Sequence, residues 1–186
     1  MCHAVLQDPN LYCLLLLIDE ELAAQARAAG CACGGVLHSA RYPRKPRGAP
    51  PEVREQWQSR LSFCCAVCRR RSTPESVRYL GRRVYVAAVV VLVSAMRYGL
   101  SAKRTHALAQ YVRVPRRTVE RWRAWWLDRF VQSLFWKGAC ARFVPRLRTS
   151  ALPASLVERF SGEDIRTRLI QALRFVSPLS TLRGGA

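Results

Sequence analysis

The chain has 186 residues, half of them apolar, so it is long enough for one domain or two small ones and too apolar for general disorder. Lysine and arginine outnumber aspartate and glutamate by 31 to 12, a net charge of +19, and nearly all the basic residues are arginine. Because guanidinium groups pair with phosphates and guanine edges, this balance predicts a nucleic-acid partner. No apolar run reaches the roughly 20 residues that span a bilayer, so we expect no membrane segment.

The N-terminal segment, residues 1–30, is predicted to hold a strand or helix followed by a helix. Residues 11–18 are apolar and suit either a short buried strand or the start of a helix. Asp19 can then cap a helix that Gly30 ends, because a carboxylate accepts bonds from the first free amides. The start of the chain lacks a basic region and runs into three acids, unlike a signal peptide. We therefore expect a cytoplasmic protein.

Two close pairs of cysteines, spaced C-x-C and C-x-x-C, predict a zinc site. Each pair closes a tight turn around a tetrahedral ion, and clustered cysteines without a secretion signal are typical of metal sites. The expected ligands of a structural Zn²⁺ are Cys31, Cys33, Cys65 and Cys68. Two neighbours are alternatives, since Cys64 can replace Cys65 and His38 can replace one thiolate.

The chain between the two cysteine pairs is predicted to be an extended basic loop, because four prolines fall within residues 43–51. Short strands are expected at residues 60–64 and 77–80. Residues 31–83 are therefore predicted to form a small zinc ribbon.

Residues 84–96, VYVAAVVVLVSAM, form the strongest apolar run of the chain. Their β-branched side chains favour a strand. Their length, their alanine and methionine content, and their place before a helix pair favour a buried helix, which is our prediction. A membrane segment is the other interpretation, for which the run is too short.

Residues 101–130 predict two short helices around a tight turn. Apolar side chains in the second helix recur every three or four residues and so share one face: Val119, Trp122, Trp126 and Phe130. Arginine occupies the opposite face. A helix with an aromatic back and a basic front is typical of a DNA-reading helix on a small domain.

The stretch LAQYVRVPRRTVERW, residues 108–122, resembles the helix-turn-helix of transposase-associated proteins of bacterial insertion sequences, in which LAxxLGVSxxTLxRW is common. Two positions differ, because Arg113 stands where the turn has Gly and Pro115 stands where Ser caps the helix. The cysteine region also resembles the zinc ribbons at the N-termini of transposases and their regulatory partners. Together these resemblances cover about residues 31–130. They imply a DNA-binding, nucleoid-associated bacterial protein linked to transposition, with double-stranded DNA and a transposase or other protein as partners.

The expected DNA contacts fall into three groups. Side chains expected near the major groove are Arg116, Arg117, Thr118 and Arg121. Side chains expected at phosphates are Lys103, Arg104 and Arg123. Side chains of the proline-rich loop expected at a minor groove or the backbone are Arg44, Lys45 and Arg47.

The C-terminal segment, residues 137–186, is predicted to contain a loop, a helical turn at residues 154–159, a helix at residues 163–175 and a loose tail. The acids are few and scattered, and fewer than 60 residues follow the DNA-binding unit, so we expect no enzyme.

The whole chain is predicted to be α+β and mostly helical, with a small zinc ribbon followed by a helix-turn-helix bundle at residues 84–136. The alternative function is an RNA-binding or protein-interaction module with a structural zinc site. Trp125 and Trp136 would then lie in a partner interface.

Overall fold

The computed structural model describes residues 2–46, 48–49, 51–80, 86–95 and 114–181. The fold is α+β and mostly helical, as predicted. The helices in the described residues are α1 (Cys2–Gln7), α2 (Pro9–Ala28), α3 (Ala87–Ala95), α4 (Arg116–Trp125), α5 (Leu134–Ala139), α6 (Ala154–Arg159) and α7 (Ile165–Val176). The strands there are β1 (Leu37–Ser39), β2 (Tyr42–Pro43), β3 (Ser59–Arg60), β4 (Phe63–Cys65) and β5 (Arg71–Ser72).

Helix α2 begins well before the predicted cap. The side chain of Asp8 accepts a hydrogen bond from the amide of Asn10 at 2.9 Å, and Pro9 occupies the first turn. The apolar residues 11–18 are therefore helical. The prediction that Asp19 caps a helix is wrong, because Asp19 lies in the middle of α2 with its side chain buried. The helix ends as predicted before Gly30, which has a φ of +70°.

Two small antiparallel sheets form the region of the cysteines. One sheet has the strand order β1-β4-β5, and the other pairs β2 with β3. The buried side chains of Leu37, Phe63 and Cys65 pack on Ala23 of α2 as a small second core. The strand predicted at residues 77–80 is wrong, since Tyr79 makes only an isolated bridge to Val86 and the returning strand is β5.

Helix α3 lies at the centre of the main core. All side chains from Ala87 to Ser94 are buried, which explains the absence of charge in this stretch. The helix packs against α1, α4, α6 and α7, so the prediction of a buried helix is confirmed for residues 87–95. Within the described parts of the chain, no helix has the length and apolarity needed to cross a bilayer.

Helix α4 buries the predicted aromatic stripe. Val119, Trp122, Trp126 and Phe130 are all buried, and the last two lie in a π-helical turn, Trp126–Phe130, that continues the helix. The predicted continuation to residue 136 is interrupted at Ser133, whose hydroxyl accepts the Trp136 amide at 3.1 Å and caps α5. The first helix and the turn of the predicted helix-turn-helix fall in residues 96–113, outside the described part of the chain.

The C-terminal helices follow the predicted positions. Helix α6 occupies residues 154–159, and Asp164 caps α7 by accepting the Thr167 amide at 2.6 Å. The predicted loose tail is wrong for residues 177–180, which form a 3₁₀ turn with Ser177 and Ser180 buried.

A buried polar network joins α2 to the chain that follows β5. The carboxylate of Asp19 is 3% exposed and accepts hydrogen bonds from Arg78 Nε at 2.7 Å, Ser76 Oγ at 2.6 Å and the Val77 amide at 2.7 Å. The Arg78 side chain is 1% exposed and lies over the ring of Trp57 at 5.5 Å. The network therefore replaces the hydration of one acid and one base at the junction between the sheets and the helices.

The same network extends to the C-terminal 3₁₀ turn. The guanidinium of Arg60 donates to the Ser180 carbonyl at 2.9 Å, and the Ser76 amide donates to Ser180 Oγ at 2.9 Å. Burial lowers the pKa of Arg60, and the charge of Asp19 opposes this effect. The cysteine region is thus tied to both the N-terminal and the C-terminal parts of the core.

Candidate metal centre and nucleic-acid interface

The sulfur atoms of Cys31, Cys33, Cys65 and Cys68 lie within 4.8 Å of one another. The Sγ atom of Cys33 is 3.5 Å from those of Cys31 and Cys65, and Cys31 Sγ is 3.5 Å from Cys68 Sγ. A tetrahedral zinc site with Zn–S bonds of about 2.3 Å has sulfurs about 3.8 Å apart. The four predicted cysteines therefore form a cluster that can hold a tetrahedral metal ion.

The first cysteine pair is shaped by two glycines. The Gly34 amide donates to the Cys31 carbonyl at 2.8 Å, and Gly34 has a φ of +78°, which closes the turn. A Cβ atom on Gly35 would lie 2.6 Å from Cys65 Sγ, so glycine is required there for the sulfurs to meet. The backbone at Gly35 also bends toward Cys33, because its amide donates a hydrogen bond to that sulfur.

The second cysteine pair is held by the turn between β4 and β5. The Cys65 amide donates to the Arg70 carbonyl at 3.0 Å, and the Arg69 amide donates to the Cys65 carbonyl at 3.2 Å. Arg69 takes a left-handed φ of +58° to close this turn. As a result, the amide of Cys68 faces the sulfur of Cys65, and the amide of Arg70 faces the sulfur of Cys68.

Strand register places Cys65, and not Cys64, in the cluster. Leu37 pairs with Cys65 and His38 pairs with Cys64 across β1 and β4. Because successive side chains point to opposite faces of a sheet, Cys64 and His38 are turned away from the buried face that Cys65 occupies. The Cys64 thiol contacts the Arg69 carbonyl at 3.6 Å instead. Neither alternative ligand belongs to the four-sulfur group.

Hydrogen bonds within the cluster separate the thiol pKa values. The Gly35 amide, with the neighbouring thiols of Cys65, Cys68 and Cys31, lowers the pKa of Cys33 to about 6. The Cys68 amide lowers the pKa of Cys65, against the opposing effect of burial. The Arg70 amide acts in the same sense on Cys68, but bonds with the other three sulfurs raise its pKa to about 12. Four sulfurs so close together share negative charge, a condition that a divalent cation relieves.

Basic residues follow Cys68 directly in the chain, and others lie in the proline-rich loop. Arg69 and Arg70 are exposed, and the guanidinium of Arg71 lies over the Tyr42 ring at 4.7 Å. In the proline-rich loop, Arg44 is half-buried, with its amide bonded to the Gln58 carbonyl, and Lys45 is exposed. Arg47 lies outside the described residues.

Helix α4 presents the predicted basic face to solvent. The side chains of Arg117 and Arg121 are exposed, and Arg123 is half-buried. Arg116 is also exposed but forms an ion pair with Glu120, with Nε and Oε1 2.8 Å apart. Lys103 and Arg104, predicted at phosphates, lie outside the described residues.

Thr118 is buried, unlike the neighbouring Arg117 and Arg121. Its side chain is 5% exposed, and its hydroxyl accepts a hydrogen bond from Arg121 Nη2 at 3.2 Å. Pro115 precedes it at the N-cap without a side-chain hydrogen bond, as its missing hydroxyl predicts. Thr118 is thus placed to orient Arg121.

The two tryptophans considered for a partner interface belong to the core. Trp136 is buried, and its ring lies 5.1 Å from that of Phe130. Trp125 is half-buried, and its ring lies 4.9 Å from that of Trp126. Core packing therefore accounts for Trp136, whereas Trp125 remains partly exposed.

The polar network around Asp19 is the main feature that sequence reasoning missed. A signal for it exists, because Leu15, Ile18 and Leu22 recur at steps of three and four residues. Asp19 follows Leu15 by four residues and therefore falls on the same buried face. The three consecutive acids are instead typical of a first helical turn, which hid this register.

Comparisons with known proteins add no family to this geometry. No protein-family model, curated protein or solved structure matches the chain. The features that bear on function are therefore the cysteine cluster and the arginine face of α4.

Proposed function

We propose that the protein binds duplex DNA through the exposed face of α4 and holds a structural Zn²⁺ in its four-cysteine cluster. In this proposal it is related to transposase accessory or regulatory proteins, acts beside a separate protein partner and performs no reaction of its own. The observation that carries the proposal is the division of α4 and the turn that continues it into a buried face, with Val119, Trp122, Trp126 and Phe130, and an exposed arginine face.

The aromatic face fixes the position of the helix. Trp126 and Phe130 are fully buried with their rings 4.7 Å apart, and Trp122 lies one turn earlier on the same side. Because α4 also packs on the buried helix α3, its outer face is held on a rigid support. Rigid positioning is what allows a side chain to discriminate between bases.

The outer face offers guanidinium groups that DNA can engage. Arg117 has no carboxylate partner among the described residues, and Arg121 bonds only to the neutral hydroxyl of Thr118. The pair of Arg116 with Glu120 is exposed, and such pairs are worth about 0.3–0.5 kcal/mol. Arg116 can therefore replace its bond to Glu120 by a bond to a phosphate or a guanine edge at a small cost in free energy.

In this proposal the metal also supports a DNA contact made by the proline-rich loop. Four thiolates in a tetrahedron are typical of Zn²⁺ in a closed, structural site, with iron as the other metal that suits them. Strand β4 carries Cys65, and the separate pair of β2 with β3 leads into Arg44 and Lys45 of the proline-rich loop. The two sheets are in contact, because the guanidinium of Arg71 on β5 lies over the ring of Tyr42 on β2. Metal binding would therefore order a basic surface as well as the turns themselves.

The DNA-binding part is tested by sequence selection from random duplexes, followed by binding of the selected site across a salt series. Arg117→Ala is expected to lose about 1–3 kcal/mol of discrimination at one base pair. Arg174→Ala, which removes an exposed arginine on α7, is the control and should leave the preference unchanged. Absence of duplex binding by the intact protein, or an unchanged preference in Arg117→Ala, would contradict this assignment.

The metal part is tested by elemental analysis of the purified protein. We expect one zinc ion per chain and its loss in Cys68→Ser, together with new protease cleavage within residues 31–80. Cys13→Ser is the matched control, because Cys13 is an exposed thiol of α2 outside the cluster. Iron in place of zinc would correct the metal, and full folding without any metal would contradict a structural role.

A further inference from the structure

An arginine-rich loop lies beside the C-terminal end of α4. Residues 129–157 contain five basic residues and no acid. Three of these residues, Arg142, Arg146 and Arg148, lie in the segment between α5 and α6 and are exposed. This segment, residues 140–151, is called the arginine loop below.

The backbone of the arginine loop is held by the core. The Phe143 ring is buried 6.1 Å from that of Trp136 and 5.2 Å from that of Phe175. The Arg148 carbonyl accepts a hydrogen bond from the hydroxyl of Ser155 at 2.9 Å. Arg159 donates to the Val144 carbonyl as well. The exposed arginines therefore project from a fixed backbone, which reduces the entropy lost when they bind a ligand.

The arginines of this loop have no acidic partner among the described residues, unlike two arginines of α7. Arg166 pairs with Asp8 at 3.1 Å, and Arg174 pairs with Glu21 at 3.1 Å. Among the described residues, no carboxylate lies within ion-pair distance of Arg142, Arg146 or Arg148. Three like charges on one short segment repel one another, and an anionic ligand would relieve this repulsion.

The position of the loop beside α4 favours DNA as its ligand. The turn Trp126–Phe130 packs against residues 149–151 of the loop, so the loop adjoins the far end of the helix that starts at Arg116. The ten residues of α4 and the five of the following turn extend over about 22 Å at a rise of about 1.5 Å per residue. The major groove is only about 12 Å wide. When α4 enters the groove by its first turns and lies across the groove, the far end therefore reaches the sugar-phosphate backbone at its edge.

We infer that the arginine loop is a second, sequence-independent contact to duplex DNA, in which Arg142, Arg146 and Arg148 bind phosphates. This inference rests on the proposed function, since it takes α4 as the helix that enters the groove. The loop sets affinity and its salt dependence, whereas Arg117 and Arg121 set sequence preference.

The test compares two triple variants of the full-length, metal-loaded protein. The loop variant carries Arg142→Gln, Arg146→Gln and Arg148→Gln. The control variant carries Arg27→Gln, Arg168→Gln and Arg174→Gln. Both variants lose three charges, so they change the net charge of the protein equally. Circular dichroism with thermal melting checks that both remain folded.

Binding of the selected duplex is measured for both variants from low to high salt. Each lost phosphate contact reduces the magnitude of the negative slope of log K against log salt by about 0.9. The slope of the loop variant should therefore be smaller in magnitude by up to about 2.7. Its sequence preference should remain that of the intact protein. The control variant should have the same slope as the intact protein.

The other possible results separate failure of the loop assignment from failure of the proposed function. If the loop variant keeps the intact slope while Arg117→Ala loses sequence preference, the inference about the loop is overturned and the proposed function stands. If the intact protein binds no duplex, both fail. If the loop variant binds DNA normally but loses binding to polyglutamate, the loop is a docking surface for an acidic protein and the inference is again overturned.

Discussion

Removal of the buried carboxylate of Asp19 should destabilise the protein far more than removal of an exposed one from the same helix. Asp19→Ala leaves the Arg78 guanidinium, 1% exposed, without its counter-charge, and leaves the Ser76 hydroxyl and the Val77 amide without an acceptor. Breaking a buried ion pair costs about 3–5 kcal/mol. Each buried donor left unpaired adds about 1–3 kcal/mol when it cannot find another acceptor. We expect a loss of about 4 kcal/mol or more, close to the whole stability of a typical domain, about 5–15 kcal/mol.

The control for this prediction is Glu21→Ala. Glu21 lies on α2 two residues after Asp19 and also pairs with an arginine, Arg174, at 3.1 Å. That pair is half-exposed, with side-chain exposures of 46% and 54%. Exposed pairs contribute about 0–1 kcal/mol, so burial is the main difference between the two substitutions.

The free energy of unfolding is measured by urea denaturation of the metal-loaded protein and of both variants. Two more variants are measured in the same way, Asp19→Leu alone and Asp19→Leu together with Arg78→Met. The double variant removes both charges and should recover part of the stability that the single variant loses. If Asp19→Ala lies within about 1 kcal/mol of Glu21→Ala, the buried pair does not stabilise the fold as argued.

Three further predictions concern the metal cluster and the core. Gly35→Ala should weaken metal binding, because the added Cβ would lie 2.6 Å from the sulfur of Cys65; competition with a chromophoric chelator measures this, and Gly138→Ala, with no atom near its Cβ, should behave as the intact protein. Cys65→Ser should lose the metal and Cys64→Ser should keep it, as elemental analysis would show; the reverse result would mean that the strand register is shifted by one residue. Phe130→Ala should cost about 3–5 kcal/mol in denaturation experiments, since its ring is fully buried among other aromatic rings, and a cost below about 1 kcal/mol would contradict that packing.

Local patterns predicted the features that depend on neighbours in the sequence. The stripe from Val119 to Phe130 is buried as its spacing indicates, and the helix at residues 165–176 lies within two residues of the bounds that its periodicity predicted. A helical turn also forms at residues 154–159, as predicted. The meeting of the two cysteine pairs is a long-range contact, and it could be predicted only because the C-x-C and C-x-x-C spacings are typical of ligands of one tetrahedral ion. The first helix of the predicted helix-turn-helix lies outside the described residues and stays a prediction.

Contacts between distant residues were not predictable in the same way. The choice between Cys64 and Cys65 depends on the pairing of β4 with β1, which no local pattern specifies. Likewise, residues 177–180 have a composition typical of a tail. They are ordered because Arg60 and Ser76 lie opposite them in the folded chain.

The hydrogen bonds to Ser180 also have a consequence for how the chain folds as it is synthesised. Ser180 is separated from Arg60 by 120 residues and from Ser76 by 104 residues. While the ribosome is still making the C-terminal segment, the buried groups of residues 60–78 therefore lack one set of partners. Contacts of such long range slow folding, and the unfinished chain exposes apolar surface in the meantime. Bound metal would keep the cysteine turns in their native shape during this interval, so that the last residues dock onto a surface already formed.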